Sequence, residues 1–293
     1  MGKIFLRPLN VVINKAKTAA GNQRETGLEE GRFSGPVQNV RMVSRMKQDI
    51  SLKLALNIGD EVDLDRGSAD WVFDFSLRPG NIISLKDKEG RWFRARALKC
   101  GPDQIRVLVF EGMLKSPESD LFLILLQAVP NKERMELIIE KAVELGVDVI
   151  QPFFSQRSYR FEDLAQSKHG RWQERARKAS DQCRRGKVPR VLSPQKLEQA
   201  VEVSTVAELR MVLYEKERGQ GIMEFLQKKK KAKSCALVAG PEGGFEESEI
   251  EWLKGKGLTP VSLGGRILRT ETSSIVGIGI VQFFLGDLGG SRE

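Results

Sequence analysis

The sequence predicts an α/β protein preceded by a smaller all-β unit, and three observations carry this expectation. From residue 121 onward, short apolar runs alternate with helix-patterned stretches. Two of the runs near the carboxyl end stop in glycine-rich loops, at 240–244 and 264–265, the place where open α/β sheets keep their ligands. Between 82 and 110, three strand-like runs are separated only by turn residues, Lys88-Glu89-Gly90 and Gly101-Pro102-Asp103.

Composition sets the outer bounds. A length of 293 residues is enough for about two domains and a sizeable core. The net charge of +9 and pI near 9.5 favour a polyanionic partner, because Lys and Arg neutralise phosphates regardless of sequence. Cys100, Cys183 and Cys235 are widely spaced, which argues against a disulfide framework or a metal site and fits a reducing cytoplasm. Residues 1–10 hold Lys3 and Arg7 and no sustained apolar core, so no signal peptide is expected. The longest apolar stretch, 275–285, is broken by Gln282 and is too short to span a bilayer. The expectation is a soluble cytoplasmic protein with no membrane and no metal.

In chain order, residues 1–60 read as a separate N-terminal segment. Lys3-Ile4-Phe5-Leu6 has strand character, whereas 18–35 is polar, glycine-bearing and aperiodic, as a flexible insertion would be. The runs 82–85, 92–98 and 105–110 then make a meander, and their spacing predicts a small β-barrel over 61–115. Arg91, Arg94 and Arg96 give it a basic strand that can face RNA or only solvent. Residues 111–120, with Pro117 and two serines, read as an interdomain linker.

Beyond the linker, 121–126 has the length and continuous apolarity of a buried strand. Residues 132–145 set Met135, Ile138, Ile139 and Ala142 on one helical face, and 149–150 begins the next strand, so a parallel βαβ unit follows. A helix over 171–185 carries Trp172, Ala176, Ala179 and Cys183 as a core stripe, with Arg171, Arg175, Lys178 and Arg185, joined by Gln182, on another side. That basic side can track an RNA backbone or face water, and the same two readings hold for Arg157 and Arg160. The lysines at 228–231 read as a solvated helix end.

A third strand is expected at 209–214, a fourth at 236–239, a helix at 246–254 with carboxylates in its first turn, and a short strand at 261–263. The final helix, 273–285, is apolar nearly all round and must be buried within the monomer or against another chain. Glycine in the two loops lets backbone N–H and C=O groups reach a ligand with no Cβ in the way, although a glycine pair after a strand also serves as a plain turn.

Taken together, Leu-Val-Ala-Gly-Pro-Glu-Gly-Gly-Phe at 237–245 and Ser-Leu-Gly-Gly-Arg-Ile-Leu-Arg-Thr-Glu-Thr at 262–272 resemble the signature of the small-subunit ribosomal RNA uridine N3-methyltransferases, the RsmE family of the SPOUT class. The resemblance continues through Glu133-Arg134-Met135-Glu136, Glu144-Leu145-Gly146-Val147 and Asp181-Gln182-Cys183, covering roughly 121–288. It implies a SPOUT-type α/β trefoil-knot methyltransferase domain over 121–288, a rare topology that only a specific motif justifies. It also implies a PUA-like N-terminal β-barrel that helps hold RNA, and a homodimer built on the knotted helices. Members carry a His-His pair and an arginine ahead of a Pro-Gly in that barrel. Here Asp70-Trp71 stands in that segment, which ends Ser76-Leu77-Arg78-Pro79-Gly80.

The activity so implied is S-adenosylmethionine-dependent methylation of N3 of uracil 1498 in 16S ribosomal RNA of the small subunit. The implied cofactor residues come from three loops: Leu213 and Tyr214 from the first; Gly240, Pro241, Glu242, Gly243 and Gly244 from the second; Leu263, Gly264, Ile267, Leu268, Thr270 and Thr272 from the third. Arg134, Arg157, Arg171, Arg175, Gln182 and Arg266 are the implied RNA contacts.

Uridine N3 is protonated and weakly acidic, so attack on a methyl group needs a base or a cation that stabilises the anion. Arg269 can hold the oxygen on which charge develops, and Glu271 can accept the proton or orient that arginine. The same segment offers helix-start chemistry, since Thr270 and Thr272 are natural N-caps and Glu271 suits a first turn. His169, the only histidine, lies beside Lys168 outside the motifs. Alternative readings are another SPOUT specificity, such as ribose 2′-O methylation, and a non-catalytic RNA-binding ribosome-assembly factor. A nicotinamide dehydrogenase is excluded by the absence of Gly-x-Gly-x-x-Gly after a first strand.

Overall fold

A computed structural model of the chain describes residues 39, 40, 43, 50–73, 77–158 and 167–290, with 68–71 and 167–170 described by backbone alone. The expected strand at 3–6, the expected insertion at 18–35, Arg160 and the His169 side chain lie outside that description.

The first sheet comes from β1 (Glu61–Asp65), β2 (Ile82–Lys86), β3 (Trp92–Cys100) and β4 (Gln104–Met113), antiparallel in the order β1-β4-β3-β2, with helix α1 (Arg66–Phe73) after β1. Strict alternation builds it: Val62 and Leu64 on β1 and Ile105, Val107 and Val109 on β4 point inward while their neighbours face out. Ile50, Leu52 and Leu56 fill the same core from upstream of residue 61. The sequence predicts a barrel, but among the described residues the sheet is open, because β1 and β2 do not pair. Closure needs further strands; at the β2 edge the described residues add the Ser51–Lys86 bridge and the Ser84 N–H bond to the Gly186 carbonyl. The basic strand is internally engaged: Arg94 and Arg96 stack over Phe110, and Arg94 also bonds Glu111.

The second sheet collects β5 (Phe122–Ala128), β6 (Val149–Phe154), β7 (Arg190–Val191), β8 (Gln195–Lys196), β9 (Leu209–Leu213), β10 (Ser234–Ala239) and β11 (Thr259–Val261). Its order is β11-β9-β10-β5-β6-β7, with β8 also on β6, and every pairing is parallel. The connecting helices are α2 (Lys132–Glu144), α3 (Ser167–Gln182), α4 (Leu197–Ala200), α5 (Ile222–Gln227), α6 (Glu247–Gly255) and α7 (Thr270–Leu285). Every residue of β5 and β10 is buried, which explains why both read as continuous apolar runs. One face packs Leu123, Leu125 and Leu237 against α2, α3 and α7; the other packs Ile124, Leu126 and Val238 against Val201, Val203 and α6. The last strand and the last helix differ in their bounds from the sequence reading. The last strand ends at Val261, and the last helix starts earlier, at Thr270.

Trp172, Ala176 and Ala179 form the expected buried stripe on α3. Arg185 is a correction. The helix ends at Gln182, Arg184 turns the chain at φ 60°, and Arg185 is buried instead of lying on a basic surface. Its Nη2 meets Glu118 Oε2 at 2.6 Å and its Nη1 donates to the Val147 carbonyl at 2.6 Å. Glu118 also accepts the Gly186 N–H at 2.7 Å, and Ser84 of β2 donates its N–H to the Gly186 carbonyl at 2.8 Å. The stretch 111–120 is thus no free linker: β4 runs on to Met113, and Glu118 anchors the remainder. Composition could not show this, because the partner lies 67 residues away.

Burial alone would push the Glu118 carboxyl up, but Arg185 and Lys187 outweigh it and hold the group below its usual range. A depressed folded pKa stabilises the protein above the ordinary carboxylate range, and that contribution is lost as pH falls through it. Arg185→Met should therefore lower the unfolding free energy by about 3–5 kcal/mol in urea titration, because the Glu118 carboxylate loses the cation in direct contact with it. In the parent protein, urea stability should fall as pH drops from neutrality to below 4.

Candidate active site

A cleft of about 210 Å³ opens at the carboxyl ends of β9 and β10. Leu213, Tyr214 and Glu215 form one wall, 240–245 a second, and Leu263, Gly264, Arg266, Ile267 and Leu268 a third, with Thr270 and Ser273 beneath. The two glycine-rich loops predicted to meet do meet.

A buried polar network brings them together. Gln127, at the end of β5, is fully buried. Its Nε2 donates to the Ala128 carbonyl at 2.8 Å and to Thr270 Oγ1 at 3.2 Å, and its Oε1 accepts from Ser274 Oγ at 2.6 Å. Thr270 Oγ1 in turn donates to the Gly240 carbonyl at 2.6 Å. The first turn of α7 is thereby fixed between the ends of β5 and β10, and each buried polar group finds a partner. The α7 N-cap is Arg269, without a side-chain cap bond, so the expectation of threonine caps is corrected: Thr270 uses its hydroxyl on Gly240.

Two arginines hold the second loop from outside. Arg134 Nη1 meets Glu242 Oε1 at 2.9 Å and its Nε lies 3.5 Å from Glu271 Oε2. Arg157 Nε meets Glu246 Oε1 at 2.6 Å and its Nη1 donates to the Gly243 carbonyl at 2.9 Å. Glu246 opens α6 in a reciprocal capping box with Glu249. Glycine is needed at two points. Gly244 has φ +69°, and a Cβ there would stand 2.9 Å from Glu215 Oε1; Gly264 has φ +111°, and a Cβ there would project into open space. The third loop is tied to the segment after β9, since Ser262 donates to the Gln220 carbonyl and accepts from the Ile222 N–H.

Of the residues expected to hold a cofactor, Leu213, Tyr214, Gly240, Pro241, Glu242, Gly243, Gly244, Leu263, Gly264, Ile267, Leu268 and Thr270 all line this one cleft. Thr272 does not; it is exposed on α7. Arg269 is exposed at the head of α7, and Glu271 is 13 % exposed with an Oε2 that has no hydrogen-bond donor. Among the expected RNA contacts, Arg266 lines the cleft, and Arg171 and Gln182 are exposed on or at the end of α3. Arg175 bridges to Glu136 at 2.6 Å and Glu140 at 3.5 Å on α2, while Arg134 and Arg157 grip the loops as described. Gln127, Ser274, Glu215 and Phe245 were not singled out by sequence. Gln127 had a legible signal, a lone amide near the end of an apolar run, and Phe245 closes the 237–245 motif, whereas Ser274 and Glu215 had none. Among the described residues, no group of three or more His, Cys, Asp or Glu could hold a metal ion, and no helix is long and apolar enough to cross a membrane.

A family model for the RNA methyltransferase domain matches residues 117–282. The chain is 32% identical over 210 residues to the ribosomal RNA small subunit methyltransferase E of Mycobacterium tuberculosis, covering 70% of this chain and 79% of that one. It is 28% identical over 213 residues to the protein of the same name from Bacillus subtilis, covering 71% and 83%. The crystal structure of a ribosomal RNA small subunit methyltransferase E from Neisseria gonorrhoeae bound to S-adenosyl methionine superposes with a TM-score of 0.58 at 28% identity, covering 82% of this chain and 99% of that chain.

Gln127→Leu should cost about 1–3 kcal/mol in urea unfolding, because the Ser274 and Thr270 hydroxyls lose a buried partner.

Proposed function

The chain belongs to the ribosomal RNA small subunit methyltransferase E family, and from that premise we propose that it transfers a methyl group from S-adenosylmethionine to N3 of a uridine in 16S ribosomal RNA, position 1498 of that RNA. One observation carries the reading: three loops from separate strands converge on a single cleft whose walls are backbone-rich and apolar.

The residues present fit this cofactor. Gly264 leaves open space where any other residue would place a Cβ, and Ile267, 88 % exposed, offers apolar surface beside it for an adenine to cover. Leu213, Leu263, Ile267 and Leu268 would hold the base, and main-chain groups of 240–244 and Gly264 its polar edges. S-adenosylmethionine supplies an electrophilic methyl group; the protein supplies position and charge. Arg269, exposed at the head of α7, stabilises negative charge on the uracil oxygen as N3 loses its proton. Glu271, in the first turn of α7, accepts that proton.

The reading extends to the rest of the chain. Segment 262–269 leaves edge strand β11 and crosses the end of β9 to start α7 beneath Gly240, as a trefoil-knotted SPOUT domain over 121–288 requires. The open sheet within 61–115 belongs to a PUA-like barrel that assists RNA binding, and Ile50, Leu52 and Leu56 of the N-terminal segment 1–60 complete its core. Arg171 and Gln182 on α3 and Arg266 at the cleft are the RNA contacts, in the cytoplasm. Val276 and Phe283, 39 % and 56 % exposed on α7, make the apolar face of a homodimer.

Arg269→Ala should lower kcat by about 10²–10³ while calorimetry still shows cofactor binding. Mass spectrometry of ribosomal RNA nucleosides from a deletion strain should show loss of N3-methyluridine; loss of a 2′-O-methylated nucleoside instead would redirect the assignment.

A further inference from the structure

We propose that Arg134 is a positioning residue that ties the Gly-Pro-Glu-Gly-Gly loop to the first turn of α7, and not a contact to RNA phosphate. The inference rests on the methyl-transfer reading of the cleft.

The geometry is set by α2. Asn131 caps that helix by accepting the Arg134 N–H at 3.0 Å, so the arginine leaves the first turn in a fixed direction. Its guanidinium then reaches two carboxylates from different elements, Glu242 at 2.9 Å and Glu271 at 3.5 Å. Glu242 is held a second time, accepting the Asn131 backbone N–H at 3.1 Å. One helix N-terminus therefore grips a residue of the cleft wall and the residue following Thr270, which closes the cleft floor. The extended guanidinium suits this task, because Nη1 donates to Glu242 while Nε brings the same positive charge to 3.5 Å from Glu271; a lysine offers one point charge. All three side chains are less than one-third exposed, and without Arg134 two carboxylates would face each other with no cation between them. A guanidinium so occupied has little to give a phosphate.

Cofactor binding to RNA-free protein separates the roles, since a phosphate contact has no effect there. With S-adenosylmethionine titrated by calorimetry, Arg134→Met should raise Kd by about fivefold or more, and Arg134→Lys should recover part of the loss. In a Glu242→Gln background the Arg134→Met change should be smaller than in the parent, the signature of a direct tie. In single-turnover assays with both substrates saturating, Arg134→Met should slow transfer about tenfold or more while RNA Kd and its salt dependence stay within twofold. Cofactor Kd within twofold of the parent would overturn the inference. So would weaker RNA binding with a salt slope reduced by about one and an unchanged saturated rate, which marks a phosphate contact. If the parent protein binds cofactor yet methylates no small-subunit RNA, the functional reading falls while the calorimetric cycle still decides the tie. Far-ultraviolet circular dichroism of each variant establishes that it is folded.

Discussion

A single buried amide sets the geometry of the cleft. Gln127 ends a strand that is otherwise entirely apolar, and in that setting its side chain cannot remain unpaired. It finds Thr270 and Ser274, the first-turn hydroxyls of α7, and Thr270 passes the connection to Gly240. Central strands β5 and β10 and the last helix are thus pinned at one point, and the loops around them inherit their positions. Hydrophobic burial supplies the bulk of the stabilisation but is indifferent to the angle at which α7 sits on the sheet. Hydrogen bonds with fixed directions remove that freedom.

Charge is used in the same directed way. The surplus of basic residues reads as attraction for a polyanion, yet several arginines are committed inside the fold. Arg185 is buried against Glu118, Arg157 holds Glu246 and a glycine carbonyl, and Arg94 lies over an aromatic ring beside Glu111. Net charge therefore overstates the surface available to RNA. The exposed cations Arg266 and Arg269 lie in or beside the loop that forms one wall of the cleft.

The parallel sheet was legible because fully buried strands must be apolar throughout, as at 122–126 and 236–239. Helix faces were legible because Met135, Ile138, Ile139 and Ala142 recur at helical spacing and are all buried. The glycine loops were legible because the positive φ of Gly244 and Gly264 is a backbone conformation that other residues rarely adopt. What stayed hidden has one physical origin, partners far apart in sequence. Glu118 looked like linker because Arg185 is remote; Arg134 looked like a surface cation because Glu242 and Glu271 come more than a hundred residues later. In the N-terminal sheet, turn spacing reveals the meander of β2, β3 and β4 but not how its edges are covered.

The crossing of 262–269 bears on how the enzyme comes into being. Translation runs from the amino end, so the strands and helices of the parallel sheet leave the ribosome before α7 does. Until Thr270 and Ser274 arrive, Gln127 lacks its distant partners and the floor of the cleft is missing. A chain that stops short of this helix lacks Ile278, Val281 and Leu285 from its core and Thr270 and Ser273 from its pocket. Competence for chemistry is thereby reserved for polypeptides synthesised past this helix.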